Sequence, residues 1–321
     1  MPGFTTHYLF GSDLFNLLPE NPLKKNIRKN NKAYALGLQG PDIFFFYIPS
    51  HIFHKENLGS LAQDKKTGEF FLNLLESRTL FTGNKKHLQI ADAYIIGFIG
   101  HYTLDTTCHP FIYSFTNYTP ASPPSDTHYF GNHAYLETEI DNSMLKKKKR
   151  IHPNQFHQDS TIMVSHIQRR IIAKMLCHAF KNTYTNLLVN QPMMRAAITY
   201  SIVGSRLLSD PTGQKKVFIR LIEQNLIGKA FISPMLPSDK YYFFKDPLNI
   251  RHKPWTHPWC QEKHSRKSFL NLYNDALTLY LKRVKAYYLL VHTDFSEEKR
   301  ISYSKNYYGN LSFLSGLPLI E

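Results

Sequence analysis

GFIGHYTLDTTCHPF, residues 97–111, spaces His101, Asp105 and His109 four residues apart, so a helix would carry all three on one stripe. The preceding turns, Ile95–Gly100, are apolar on every side, which predicts a helix buried all round. The spacing predicts a helix over Leu88–His109, ended by Pro110. Two imidazoles and a carboxylate on a buried stripe need compensation, since an uncompensated polar group costs roughly 2–7 kcal/mol in an apolar setting. A metal ion would supply it. A hydrogen-bonded His–Asp core network would do so too.

Working outward, NHAYLETEID repeats the pattern: His133 and Glu137 lie at i and i+4, with Asp141 one step further, at the expected trailing, solvated end. With 16 His and 24 acidic residues, roughly one His-x-x-x-acid pair is expected by chance and the chain has two, so spacing alone does not decide. Location says more. One pair sits in the most apolar helix, and the other follows the Pro-rich connection 116–130. Asp42 stands in the turn Gly40-Pro41-Asp42 ahead of an aromatic run, and His7 in an apolar decapeptide; each alone reads as a cap or packing residue. His51 and His54 flank the aromatic run and are placed at the rim, while Cys108 reads as a buried thiol.

Helical periodicity recurs at Asn26–Leu38, Asp64–Leu75, Asn132–Leu145, Ser160–Leu188, Met193–Leu208, Gln214–Ala230 and Ser265–Leu290, with no sustained strand alternation. The chain therefore reads as all-α, one domain over 1–321. A metal-site core (1–145) precedes a helical remainder (146–232), then a Pro/Trp-rich wrapping segment and a final helix (233–321). The 20 tyrosines and 23 phenylalanines supply ample packing surface. A net charge of +15 favours anionic partners: phospholipid surfaces, nucleic acid or phosphorylated molecules. Lys146–Arg150 reads as a solvated basic patch or tether. Three cysteines form no disulfide framework, and neither a leader nor a membrane-length apolar window is present, which predicts a cytoplasmic protein, at most peripheral at a membrane. No Walker loop, dinucleotide fingerprint, nucleophile elbow or Cys-x-x-Cys pair occurs.

Taken together, MPGFTTHYLFG (1–11), GLQGPDIFFFYIPS (37–50), GHYTLDTTCHPF (100–111) and YFGNHAYLETEID (129–141) resemble the zinc-dependent phospholipase C family. That family includes the catalytic domain of glycosylphosphatidylinositol-specific phospholipase D. The later DPLNIRHKPWTHPW (246–259) is similar to its intracellular bacterial branch. The resemblance implies a multi-helix bundle with two to three Zn2+ ions in a cleft, and hydrolysis of phosphodiesters, phospholipids foremost. By the same resemblance Asp42, His101 and Asp105 share one zinc, and His109, His133 and Glu137 hold a second. His7, a bridging Asp105 and an amine exposed at Pro2 by removal of Met1 hold the third. Asp42 is further expected to orient or deprotonate the attacking water.

One departure stands out. The family carries a further histidine after the PDIF motif, and Gln63 occupies its place here, with Asp64 adjacent. Glutamine is a poor zinc ligand beside imidazole. Either Asp64 or His54 substitutes, or that zinc is weak or missing. Two other readings stay open: a helical zinc nuclease-like phosphodiesterase, and a non-catalytic, metal-stabilised protein that docks on anionic membranes. The aromatics from Phe44 to Tyr47 would meet acyl chains or stack on bases, or belong to the core.

Overall fold

The computed structural model describes residues 3–49, 56–120, 127–226, 228–239 and 242–319. Its axis is α6, Lys85–Phe115, 31 residues and so about 46 Å long. Every residue from Ala93 to Thr106 is buried, because the helix is apolar on all sides and is covered on all sides. Three shorter helices, α1 (Phe4–Leu17), α2 (Pro22–Lys29) and α3 (Asn31–Gly37), precede it, and α3 packs directly along it.

On another flank lies α12 (Phe269–His292). Tyr280 of this helix donates to the Ile96 carbonyl at 2.7 Å, and its hydroxyl meets that of Tyr34 at 3.2 Å. A third side is closed by α4 (Leu58–Asp64), α5 (Thr67–Glu76), α9 (His166–Thr183) and α10 (Gln191–Leu207). There Phe180 of α9 meets Phe70 edge-on at 4.9 Å and Phe44 at 5.0 Å. The rest comprises α7 (Thr127–Lys149), α8 (Gln158–Thr161), α11 (Gln214–Leu226) and α13 (Glu297–Tyr308). An antiparallel hairpin of β1 (Trp255–His257) and β2 (Cys260–Ser265) completes it, pairing Trp255 with Ser265. Among the described residues the chain is all-α apart from this hairpin, and none of their helices is long and apolar enough to cross a membrane.

Three local expectations are corrected. Pro110 does not end α6, which runs on to Phe115, because Phe111 and Ile112 are fully buried and hold the helix in register. The proline leaves the Thr106 carbonyl without its helical N–H. The C-terminal loop lays Gly316 over that carbonyl at φ +64°, and a β-carbon there would stand 2.1 Å from the Thr106 oxygen.

Asn26–Leu38 is not one helix. Asn30 breaks it, its side-chain amide bonding Asn26 Oδ1 at 2.7 Å. Nor is Asp64–Leu75: Lys66 adopts a left-handed φ of 51° between α4 and α5. The basic run Lys146–Lys149 forms the last turn of α7, where cations suit the helix dipole. Its Lys148 reaches Asp13 at 2.6 Å.

Candidate metal centre

α6 delivers His101, Asp105 and His109 to one stripe, all fully buried. α1 lies across it and presents His7, also fully buried. His7 Nε2 stands 3.1 Å from one oxygen of Asp105, and His101 Nε2 stands 3.0 Å from the other. The two imidazoles stack at 4.2 Å. Asp42 reaches the same place from the 3-10 helix at Gly40–Phe46, its Oδ1 3.6 Å from His101 Nε2. Gly40 makes that approach feasible: it has φ +49°, and a β-carbon would run into the His101 ring at 2.2 Å.

A second group assembles where α7 meets the far end of the stripe. Glu137 Oε1 lies 2.7 Å from His133 Nε2 and 3.9 Å from His109 Nε2. His7, His101 and Asp105 can thus hold one ion, and His109, His133 and Glu137 another, the donor atoms of each group lying within 4.8 Å of one another. Donors about 2.1 Å from a tetrahedral zinc stand about 3.4 Å apart, which the observed separations bracket.

The hydrogen bonding matches a metal better than a closed polar network. Asp105 Oδ1 and Oδ2, both nitrogens of His7, and Nε2 of His101 and of His109 are buried with no hydrogen-bond partner among the described residues. So many orphaned atoms in one place would be strongly destabilising unless something else engages them. The remaining nitrogens are committed: His101 Nδ1 meets the Leu38 carbonyl at 3.1 Å, and His109 Nδ1 meets the Phe313 carbonyl at 2.5 Å. Carbonyl partners fix the proton on Nδ1 and leave the Nε2 lone pairs facing the cluster.

Electrostatics point the same way. Burial, with help from the His101 charge, pushes His7 down to about 4, and burial lowers His109 to about 3. Burial holds His133 well below its ordinary value. For Asp105 the imidazoles of His101, His109 and His7 outweigh burial and keep the carboxyl well below the usual range. His7, His109 and His133 are thus held neutral beside an ionised Asp105, as a metal requires, whereas at His101 burial is outweighed by Asp105 and Asp42, which raise its pKa.

The first group is sealed, whereas Asp42, His133 and Glu137 keep side-chain surface open to solvent. Beside them the Tyr113 ring lies tilted to that of His133 at 4.7 Å and meets Trp259 edge-on at 4.9 Å, forming an aromatic wall. In the aromatic run Phe44 and Tyr47 belong to the core and Phe45 is exposed.

Of the expected site residues, His7, Asp42, His101, Asp105, His109, His133 and Glu137 are brought together, while Pro2, His51 and His54 lie outside the described residues. His7 and His101 share one group rather than standing apart. Gln63 is buried and donates its amide to Asp42 Oδ1 at 2.8 Å, whereas Asp64 is exposed and accepts from Ser312 at 3.0 Å. Asp141 is not at a solvated end. It is buried and accepts from the Thr5 and Thr6 backbone N–H groups at 2.9 and 2.8 Å, satisfying the start of the helix that carries His7.

The Phe313 carbonyl that holds His109 has no side-chain signature in the sequence. Trp259 was visible only as part of the 246–259 motif.

Two His–carboxylate groups set end to end along a buried helix of an all-α bundle define a candidate multi-metal protein. The family model for zinc-dependent phospholipase C matches residues 6–192, more than half of the chain, and the chain belongs to that family. Comparison with curated proteins and with solved structures finds no match.

Proposed function

We propose that the protein is a zinc-dependent phosphodiester hydrolase of the phospholipase C type, acting on phospholipids. The observation that carries this reading is Asp105: a sealed carboxylate with both oxygens 3.0–3.1 Å from imidazole nitrogens and bonded to neither. His7, His101 and Asp105 would hold one zinc and His109, His133 and Glu137 another, with Asp42 at the edge of the first. When bound, zinc supplies Lewis acidity that polarises a phosphoryl group and acidifies water.

The chain's own residues supply the rest. His101 and His109 are oriented through their Nδ1 atoms by the backbone carbonyls of Leu38 and Phe313. Asp42 stands at the open edge of the first group, its Oδ1 3.6 Å from His101 Nε2 and its side chain partly exposed, which suits it to orient or deprotonate a water there. Tyr113 and Trp259 wall the open side.

Purified protein prepared without chelators should carry two to three zinc ions per chain and hydrolyse phosphatidylcholine and a chromogenic phosphodiester. Less than about half an equivalent of zinc, after zinc supplementation, overturns the metal assignment. Zinc without hydrolysis favours the second reading, a non-catalytic metal-stabilised protein, for which Gln63 at an expected ligand position speaks.

A further inference from the structure

α11 (Gln214–Leu226) is turned inside out. An amphipathic surface helix ordinarily buries its apolar stripe and exposes its charges. Here the buried residues are Lys216 and Glu223, at 1% and 3% exposure, while Phe218, Leu221 and Leu226 stand 64%, 53% and 80% exposed. Val217 and Ile222 are exposed on the same side. Helical spacing puts Val217, Phe218, Leu221 and Ile222 on one face and Lys216, Arg220 and Glu223 on the opposite one.

The inversion is held by specific contacts. Asp210 accepts from the Lys216 backbone N–H at 2.9 Å at the helix start. At its end Glu223 accepts from the Phe231 N–H at 3.1 Å and the Ile232 N–H at 2.5 Å. Those two residues are themselves exposed, and they extend the apolar strip. The polar side of α11 is clamped onto α7: Lys216 and Arg220 lie over the ring of Tyr135 at 5.5 and 5.3 Å. Tyr135 sits between His133 and Glu137 in sequence, so the exposed strip is anchored on the helix that supplies the second donor group. α11 also lies beyond the residues matched by the family model.

We propose that α11 is a membrane-docking helix that lays Val217, Phe218, Leu221, Ile222 and Leu226 into the interface of an anionic lipid bilayer. Charge complementarity selects this occupant. The chain carries +15, and Lys215 and exposed Lys229 flank the apolar strip at its two ends. An outward apolar strip flanked by cations gains both burial and electrostatic attraction at such a surface. A second copy of the chain would instead bring +15 against +15.

The test is co-sedimentation of the full chain with large unilamellar vesicles, either phosphatidylcholine alone or phosphatidylcholine and phosphatidylglycerol in equal parts. This readout depends on neither zinc nor hydrolysis, so its failure is separate from failure of the enzymatic reading. Wild type should bind the anionic vesicles, and the combined variant Phe218→Ser, Leu221→Ser, Leu226→Ser should bind at least about tenfold more weakly. All three sites are exposed, so the variant should melt as wild type does. Lys229→Glu should reduce the preference for anionic over neutral vesicles. Undiminished vesicle binding by the triple variant overturns the proposal. So does a wild type that binds no vesicles but is a dimer by light scattering which the triple variant dissociates, because the strip is then a chain–chain interface.

Discussion

Gln63 donates its side-chain amide to Asp42 Oδ1 at 2.8 Å, so the residue at an expected ligand position holds a carboxylate of the cluster instead of reaching for an ion. The contact occupies one of the two oxygens Asp42 can offer. An imidazole at residue 63, on the same buried side of α4, would add a donor beside Asp42 and His101. Gln63→His is therefore expected to tighten zinc by about tenfold or more, read by competition with a chelating dye. Unchanged affinity would show that position 63 does not face the ion.

Asp105 and Asp141 are both buried acids, but they serve different ends. Asp105 faces two imidazoles, while Asp141 accepts two backbone N–H groups at the start of α1. Asp105→Asn should lower hydrolysis by about a hundredfold or more and release zinc. Asp141→Asn should instead cost about 1–3 kcal/mol of stability through a weakened acceptor, with far less effect on the folded enzyme's turnover. Equal losses of turnover on folded protein would count against Asp105 as the shared ligand.

These contrasts show what was legible in the sequence. His101, Asp105 and His109 could be placed together because α-helical spacing fixes which side chains share a stripe, and the apolar residues around them fixed their burial. Asp141 continues the His133–Glu137 register, but its place is not legible there, since only the tertiary approach of α1 gives it partners. α1 and α13 carry little periodicity: the first is apolar nearly all round, the second largely polar. Pro110 reads locally as a stop, but burial on both sides overrides it. A backbone carbonyl such as that of Phe313 leaves no trace in residue identity at all.

That carbonyl can be tested through the loop that carries it. Gly316 is pressed against Thr106, where a β-carbon would sit 2.1 Å from a carbonyl oxygen. Gly316→Ala must lift the loop and draw the Phe313 carbonyl away from His109 Nδ1. Zinc affinity should fall roughly tenfold to a hundredfold, as for other outer contacts that orient a ligand. Gly228→Ala is the control: it has a similar left-handed φ of 71° but open space around it, and it should leave affinity unchanged. Equal affinities in both variants would remove the loop from the metal site.

Lys216 lies buried under α11 with no hydrogen-bond partner for its ammonium among the described residues. Burial pushes its pKa down to about 8 against an ordinary 10.5, with Glu139 opposing and Arg220 adding. Because the folded value is the lower one, the unfolded chain binds the extra proton between pH 8 and 10.5. Stability must then rise as pH climbs through that window, and below it the buried charge costs a constant amount, about 3 kcal/mol for this shift. Lys216→Met keeps a long apolar stem without the charge. It is expected to be more stable than wild type by about 1–3 kcal/mol at pH 7, and the two should converge toward pH 10.5. Urea midpoints at pH 7 and pH 10 check this, and subtracting the two proteins removes the tyrosines and cysteines that titrate in the same range. A variant less stable at pH 7, or one whose stability still climbs in parallel with wild type, would mean that the ammonium is satisfied where it lies and that the inverted packing of α11 costs nothing.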